Sequence, residues 1–191
     1  MRRIHLIRHA AYEGHSPNPA RYVGRTDPEL SAEGRKQAAL LGQSAPELHG
    51  LPVWASTARR ARETALLAFP DADIRLTRHA MEIDYGRIDG LSVVEAARLY
   101  PEFFSRRSRG GSALDFKEIG GEALGDLVAR VDRVTDEMQS FSEVVLVSHA
   151  VFLSVLCSHL VGACSKGSNS FGFCGRATLE HSIGSGWSHV D

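Results

Sequence analysis

The 191-residue chain reads as an α/β protein: a three-layer sandwich with helices on both faces of a mostly parallel central sheet. Two observations predict this. Short apolar runs alternate along the chain with segments whose apolar residues recur at helical spacing. The most apolar run, Val144 to Val147, lacks the in-out alternation of a half-exposed strand and so belongs at the buried centre of a parallel sheet. Ligands of such sheets bind beyond the carboxyl ends of the strands, so the residues just past each apolar run are where chemistry is expected.

The first run, Ile4 to Ala10 (Ile-His-Leu-Ile-Arg-His-Ala), stops at Arg8 and His9. A loop from Ala11 to Glu29 follows, carrying Tyr12, Arg21, Tyr22 and Arg25 among Gly, Pro, Asn and Ser, and it is too long to be a simple connector. Ser31, with Glu33 and Gly34, opens a helix whose apolar positions Ala38, Leu41, Ala45 and Leu48 carry it to about His49 and Gly50. Leu51 to Ala55 is the second strand, and Ser56 or Thr57 supplies the N-cap of a helix from Ala58 to Phe69. After Pro70 and the Asp71 to Asp73 turn comes a third strand, Ile74 to Thr77.

From Glu82 to Gly121 the pattern is irregular, punctuated by Gly86, Gly90, Gly110, Gly111, Gly120 and Gly121, with one helix at Val93 to Tyr100 and an aromatic and basic patch at Phe103 to Arg109. It reads as a lid-like excursion within a single domain spanning 1–191. Phe103, Phe104 and Tyr85 with the basic patch read equally as a pocket wall or as a surface turn. Glu122 to Phe141 is a long amphipathic helix with Leu124, Leu127, Val131, Val134 and Met138 on one stripe. Val144 to Val147 then ends in Ser148 and His149, an apolar helix covers Val151 to Val161, and the tail, Arg176 to Asp191, suits one or two short strands around a Gly184 to Gly186 turn.

Composition narrows the function. With 43% hydrophobic and 24% charged residues, and 22 Lys plus Arg against 23 Asp plus Glu, bulk charge argues against nucleic-acid and membrane partners. The N-terminal apolar run is broken by His5, Arg8 and His9 and is too short for a signal-peptide core. No stretch approaches the roughly 20 apolar residues of a membrane-spanning helix. Cys157, Cys164 and Cys174 are odd in number and lack C-x-x-C spacing, as free thiols of a cytoplasmic protein would. Quaternary structure is left open, a homodimer being one option.

Three strand ends carry chemistry: Arg8 and His9 after the first, Ser56, Thr57 and Arg60 after the second, and His149 after the buried one. Each alone has an ordinary explanation, a strand meeting water, a solvated helix arginine or a core histidine. Right-handed crossovers, however, bring these ends to one edge of the sheet. Two guanidinium and two imidazole groups there repel one another unless a multivalent anion joins them, and the helices after Thr57 and His149 offer free N–H groups to the same point. A phosphoryl group meets every requirement. A metal does not, since no third ligand with suitable spacing accompanies His9 and His149 and the arginines would repel a cation; no metal and no cofactor are expected.

Several motifs in order carry a resemblance. Leu6-Ile7-Arg8-His9-Ala10 matches a strand ending Arg-His-Gly, and Ser56-Thr57-Ala58-Arg59-Arg60-Ala61-Arg62-Glu63-Thr64 matches a serine and an arginine followed by Ala-x-Glu-Thr. Glu82 to Gly90 fits E-x-x-x-G-x-x-x-G, Gly120-Gly121-Glu122 fits Gly-Gly-Glu, and Val144 to Ala150 fits a strand ending Ser-His-Gly. Gly24-Arg25-Thr26-Asp27 with Leu30, Ser31, Gly34, Gln37 and Ala38 fits the entry to the first helix. On these residues, from the first strand to about Val161, the chain resembles the histidine phosphatase superfamily, which shares its fold with the cofactor-dependent phosphoglycerate mutases. Its entry loop and length look most like the broad-specificity and α-ribazole phosphatases.

The resemblance implies a metal-independent phosphatase acting on a small phosphate monoester, with His9 as nucleophile forming a phosphohistidine and Arg8, Arg60 and His149 binding the phosphoryl oxygens. It makes Glu82 the general acid and adds Arg25 and Ala150 to the substrate contacts. Alternatives are mutase-type transfer, for which Arg106, Arg107 and Arg109 could hold a second anionic group, and a non-catalytic module that binds phosphorylated ligands. The chain departs from the family at Ala10 and Ala150, each in place of glycine, at Asp89, in place of the commoner glutamate, and at Ala11, where many relatives carry Glu and which leaves Glu13 as the second choice of acid.

Overall fold

The computed structural model describes residues 1–109, 114–162 and 171–190. Gly110, Gly111, Cys164 and Asp191 lie outside them. The strands are β1 (Arg2–Arg8), β2 (Val53–Ser56), β3 (Ile74–Thr77), β4 (Glu143–Ser148), β5 (Arg176–Ser182) and β6 (Gly186–Val190). The helices are α1 (Ala32–Ser44), α2 (Arg59–Ala68), α3 (Val93–Leu99), α4 (Pro101–Ser108), α5 (Leu124–Glu137) and α6 (Ala150–Val161). One sheet runs in the order β3-β2-β4-β1-β5-β6. Its first four strands are parallel, while β5 pairs antiparallel with β1 and β6 antiparallel with β5.

Period-two alternation along the strands builds two apolar layers. Ile4 and Leu6 of β1 and Val144 and Leu146 of β4 face a core shared with α5 and α6, while Ile7, Val145 and Val147 face a second core with α1 and α2. Burying each such side chain contributes about 1.5–3 kcal/mol, which fixes the central strands from both faces. Register does the rest: Arg8 lies opposite Ser148, Ala55 opposite Val147 and Ser56 opposite Thr77. The carboxyl ends are level, so His9, Thr57 and His149 leave the sheet along one edge.

Several expected boundaries move. The first helix stops at Ser44 and Pro46–Leu48 forms a separate 3-10 turn, because proline brings no N–H to the α-helical ladder. Neither Ser56 nor Thr57 is the N-cap of α2; Ala58 is, without a side-chain bond, and the amide of Arg59 instead donates to Asp27 Oδ1 at 2.7 Å. The basic and aromatic patch is largely a helix, α4, started by Pro101 at its first position. Within 82–121 the 3-10 turns Gly86–Ile88 and Lys117–Ile119 pack against each other, and Ile83, Ile88, Phe103, Phe116 and Ile119 join the core of β1 and β4. Gly86 has φ +60, and a Cβ there would lie 2.3 Å from the Ile119 carbonyl oxygen, so both backbone angle and space require glycine. No helix among the described residues is long and apolar enough to cross a membrane.

Candidate active site

His9 is the first residue past β1 and is only 3% exposed. Its Nδ1 lies 2.8 Å from the carbonyl oxygen of Ala10, which can only accept, so Nδ1 carries the proton and Nε2 the lone pair. Arg60 Nε donates to that Nε2 at 3.3 Å, consistent with the same tautomer. Burial, then the charge of Arg60 and more weakly that of Arg8, hold the ring well below the usual imidazole value, against the opposing pull of the Ala10 carbonyl. At neutral pH the ring is therefore neutral, oriented and basic at Nε2. The Ala10 side chain packs in a small buried cluster with Leu30 and Ala38.

Arg60, in the first turn of α2, is 1% exposed and directs three of its four Nη hydrogens at a loop: Nη1 to Thr26 O at 2.9 Å, and Nη2 to Val23 O at 3.2 Å and Gly24 O at 3.1 Å. Asp89 holds that loop in turn. Its Oδ1 accepts from Gly24 N at 2.9 Å and its Oδ2 from Arg25 N at 2.6 Å and Thr26 N at 2.8 Å. The loop passes so close to Ile83 that a Cβ on Gly24 would sit 2.3 Å from the Ile83 carbonyl oxygen. From the other side, Thr64 Oγ1 donates to Arg60 O at 2.7 Å and accepts from Ala10 N at 2.9 Å, tying the backbone of Arg60 and the peptide that follows His9 to one hydroxyl.

His149 ends β4, caps α6 and is fully buried, with its ring 5.1 Å from that of His9. Its Nε2 bonds to Ser56 Oγ at 2.9 Å, and its Nδ1 has no partner among the described residues. Burial and then Arg60, His9 and Arg8 push it well below the usual imidazole value. Arg8 donates from Nη1 to Phe171 O at 2.7 Å and lies over the Phe173 ring at 4.3 Å, with a buried Nε likewise without a partner among the described residues.

Glu82 is 6% exposed. Its carboxyl accepts from Ile83 N and Phe152 N, both at 3.0 Å, and from Val151 N at 3.1 Å, so it caps the first turn of α6 next to His149. Burial raises its pKa above the ordinary carboxyl value, although the three amides and Arg60 pull the other way. It lies within electrostatic reach of Arg8, Arg60 and Tyr12. Arg130 fixes its backbone, donating from Nη1 to His79 O and Met81 O at 2.7 Å and from Nη2 to Glu82 O at 3.3 Å. Glu122 receives the same guanidinium through both oxygens, at 2.8 and 2.9 Å.

The strand ends thus bring His9, Arg8, Arg60 and His149 together, with Glu82 beside them. Ala150 adjoins as the first residue of α6. Arg25 lies 3.3 Å from Asp84 and 3.6 Å from Glu122, and Glu13 is exposed. Ser56, one of the strand-end residues, supports His149; Thr64, Asp89 and Arg130 were not marked by the sequence as site residues, though the first two stand inside matched motifs. Among the described residues no three His, Cys, Asp or Glu side chains gather to hold a metal ion.

The family model of the histidine phosphatase superfamily (branch 1) matches residues 4–181. The chain belongs to that family. This histidine phosphatase is 33% identical over 186 residues to phosphoserine phosphatase 1 of Hydrogenobacter thermophilus, covering 94% of this chain and 85% of the relative. Its fold superposes with a TM-score of 0.83 on a putative α-ribazole-5'-P phosphatase of Escherichia coli, 22% identical, covering 99% of this chain and 94% of the other. A mycobacterial glucosyl-3-phosphoglycerate phosphatase gives a TM-score of 0.80 at 23% identity, covering 100% and 98%. The structural matches speak to the fold, a six-stranded, mostly parallel sheet with flanking helices. Family and phosphatase-named relatives together support a phosphoric monoester hydrolase.

Proposed function

We propose that this histidine phosphatase hydrolyses a small phosphate monoester in two displacements at His9. Nε2 attacks phosphorus, the ester P–O bond breaks, and the leaving oxygen takes a proton from Glu82. Water then attacks the phosphohistidine, gives its proton to Glu82, and inorganic phosphate departs, so one difficult step becomes two easier ones. Arg8, Arg60 and His149 hold the three equatorial oxygens, which is the main help a protein can give phosphoryl transfer. If Ser56 Oγ–H donates to His149 Nε2, the imidazole proton sits on Nδ1, a buried N–H suited to an anionic oxygen.

The observation that carries this reading is the orientation of His9, with Nδ1–H spent on Ala10 O and Nε2 facing Arg60. A binding module needs neither an oriented nucleophile nor a buried acid. A mutase must hold a second anionic group, and of the arginines that could do so Arg106 is engaged with Glu118 and Arg107 with Asp115 O and the Phe116 ring; this favours hydrolysis. Glu82 is preferred over the exposed Glu13 because burial raises its pKa toward the working range of a general acid. The 82–121 segment shares a core with β1 and β4, which supports a lid built into one domain. Burial pushes the Cys174 thiol up to about 11, which keeps it a protonated thiol at neutral pH.

The test is turnover of a chromogenic phosphate ester in excess chelator. His9→Ala is expected to abolish it while His5→Ala retains it, since His5 is bonded to Thr178 and Glu143 on the sheet. Equal rates in the two variants would refute the assignment.

A further inference from the structure

Three rings stand beside the nucleophile that phosphoryl transfer itself does not use. Tyr12 and Phe173 each lie 5.8 Å from the His9 ring. His15 is 4.7 Å from Phe173 and 5.4 Å from Tyr12, and Tyr12 is 6.0 Å from Phe173. Their planes meet at 71°, 88° and 89°, so the three rings meet edge to face in an aromatic corner beside the nucleophile. Tyr12 and Phe173 are half-buried and His15 is exposed. A flat guest in such a corner stacks on one ring and meets the edges of the others, the two arrangements aromatic pairs prefer.

The corner lies where a leaving group must pass. Tyr12 and Phe173 flank the His9 ring and the Arg60 guanidinium lies 6.0 Å from the Tyr12 ring, so the alcohol portion of an ester held by His9 and Arg60 has these rings as neighbours. Phe173 is delivered there by the turn at 172–175, which is pinned to the end of β1: Arg8 N donates to Gly175 O at 3.0 Å and Cys174 N to Arg8 O at 3.1 Å. Cys174 itself has φ 55, a backbone conformation unusual for a non-glycine residue and of the kind that gathers at ligand sites. The corner offers a second anion little. Arg8, bonded to Phe171 O and lying over the Phe173 face, keeps its Nε, without a partner among the described residues, for the phosphoryl group itself. Arg21, Arg25, Arg35 and Arg59 of the neighbouring loop and helices are paired with carboxylates, and burial and Arg8 lower the pKa of His15.

We propose that Tyr12, His15 and Phe173 form the leaving-group subsite, and that the favoured substrates are phosphate monoesters whose alcohol carries an uncharged aromatic ring. This rests on the phosphatase reading above. Phenethyl phosphate and butyl phosphate separate the two, because their leaving alkoxides are similarly basic and differ chiefly in the ring. The wild type is expected to prefer phenethyl phosphate by roughly tenfold in kcat/KM, the scale of one good ring contact with its buried area. Phe173→Ala brings that ratio close to one and Phe173→Tyr restores it. A ratio is what a merely structural role of Phe173 would not move, since lost support for Arg8 slows both esters alike. Equal kcat/KM for the two esters in the wild type, a ratio unchanged in Phe173→Ala, or phosphoserine outrunning phenethyl phosphate would each overturn the subsite and leave the hydrolase reading standing. Failure to hydrolyse any of the three esters, with no phosphate on His9, would overturn both.

Discussion

His9 and His149 hang from the level ends of β1 and β4, and Arg60 from the first turn after β2, where ladder hydrogen bonds and two apolar layers fix the backbone on both sides. Glu82 sits between the 3-10 turns Arg78–Ala80 and Gly86–Ile88 in a stretch whose position depends on side chains: Arg130 grips the carbonyls of His79, Met81 and Glu82 and is itself held by Glu122, whose amide and carboxylate both bond Asp84. The nucleophile half is therefore set by main-chain geometry, and the acid half by a network of charges that one substitution can dismantle. Damage to the first should slow every substrate alike, whereas damage to the second should fall on substrates with poor leaving groups.

The largest effect after loss of the nucleophile is expected from Arg60→Lys. Lysine has no fork to span His9 and the carbonyls of Val23, Gly24 and Thr26, and kcat should fall by about a hundredfold or more for alkyl and nitrophenyl phosphates equally in steady-state assays. In kcat/KM, which reports the first displacement, Glu82→Gln is expected to cost about a hundredfold with alkyl phosphates but far less with nitrophenyl phosphate, whose leaving group needs no proton. Because burial raises the Glu82 pKa, the acid form persists to higher pH than for an ordinary carboxyl, and wild-type activity on alkyl esters should decline as pH rises through that raised value; in Glu82→Gln this limb should vanish. Equal losses on both ester classes would break the division between the halves.

Asp89→Asn sharpens it. One carboxylate clamps three amides of the loop whose carbonyls hold Arg60, so the variant should act through Arg60: about tenfold lower kcat/KM, with both ester classes affected, and less than additive with Arg60→Lys in a double-mutant cycle. The smallest effect is on stability. His9 and His149 have folded-state pKa values below their unfolded ones, so the unfolded chain binds their protons more readily. Their contribution is full above about pH 6.5 and is lost as pH falls below it, by at most about 1.4 kcal/mol per pH unit for each ring. Glu82, shifted upward, contributes the opposite slope, so urea unfolding of wild type and His149→Gln at several pH values isolates the imidazole; the variant should show the shallower decline.

What the sequence disclosed follows the same division. The strands and the helices α1, α2, α5 and α6 are marked by apolar periodicity, and the groups at their ends by the abrupt halt of apolar runs at Arg8, Ser56 and Ser148. The α4 helix was hidden because Phe103, Arg106 and Arg107 look like a surface patch until Phe103 is seen buried and Arg107 lying over Phe116. Asp89, Thr64 and Arg130 act on backbone groups remote in sequence, which side-chain patterns do not announce. Arg25 illustrates the converse: its motif was plain, but its ion pairs with Asp84 and Glu122 depend on how the excursion folds back.

The claim at the centre is that Nε2 of a neutral His9 captures phosphorus while Nδ1 keeps its proton on Ala10 O. Glu82→Gln should slow release of the phosphoryl group, so mixing this variant with nitrophenyl phosphate, quenching in alkali and recording the phosphorus NMR spectrum reads the bonded nitrogen directly. An Nε2-linked phosphohistidine mapped to His9 is the predicted result. Phosphate on Nδ1, on His149, or on no histidine while turnover continues would contradict it.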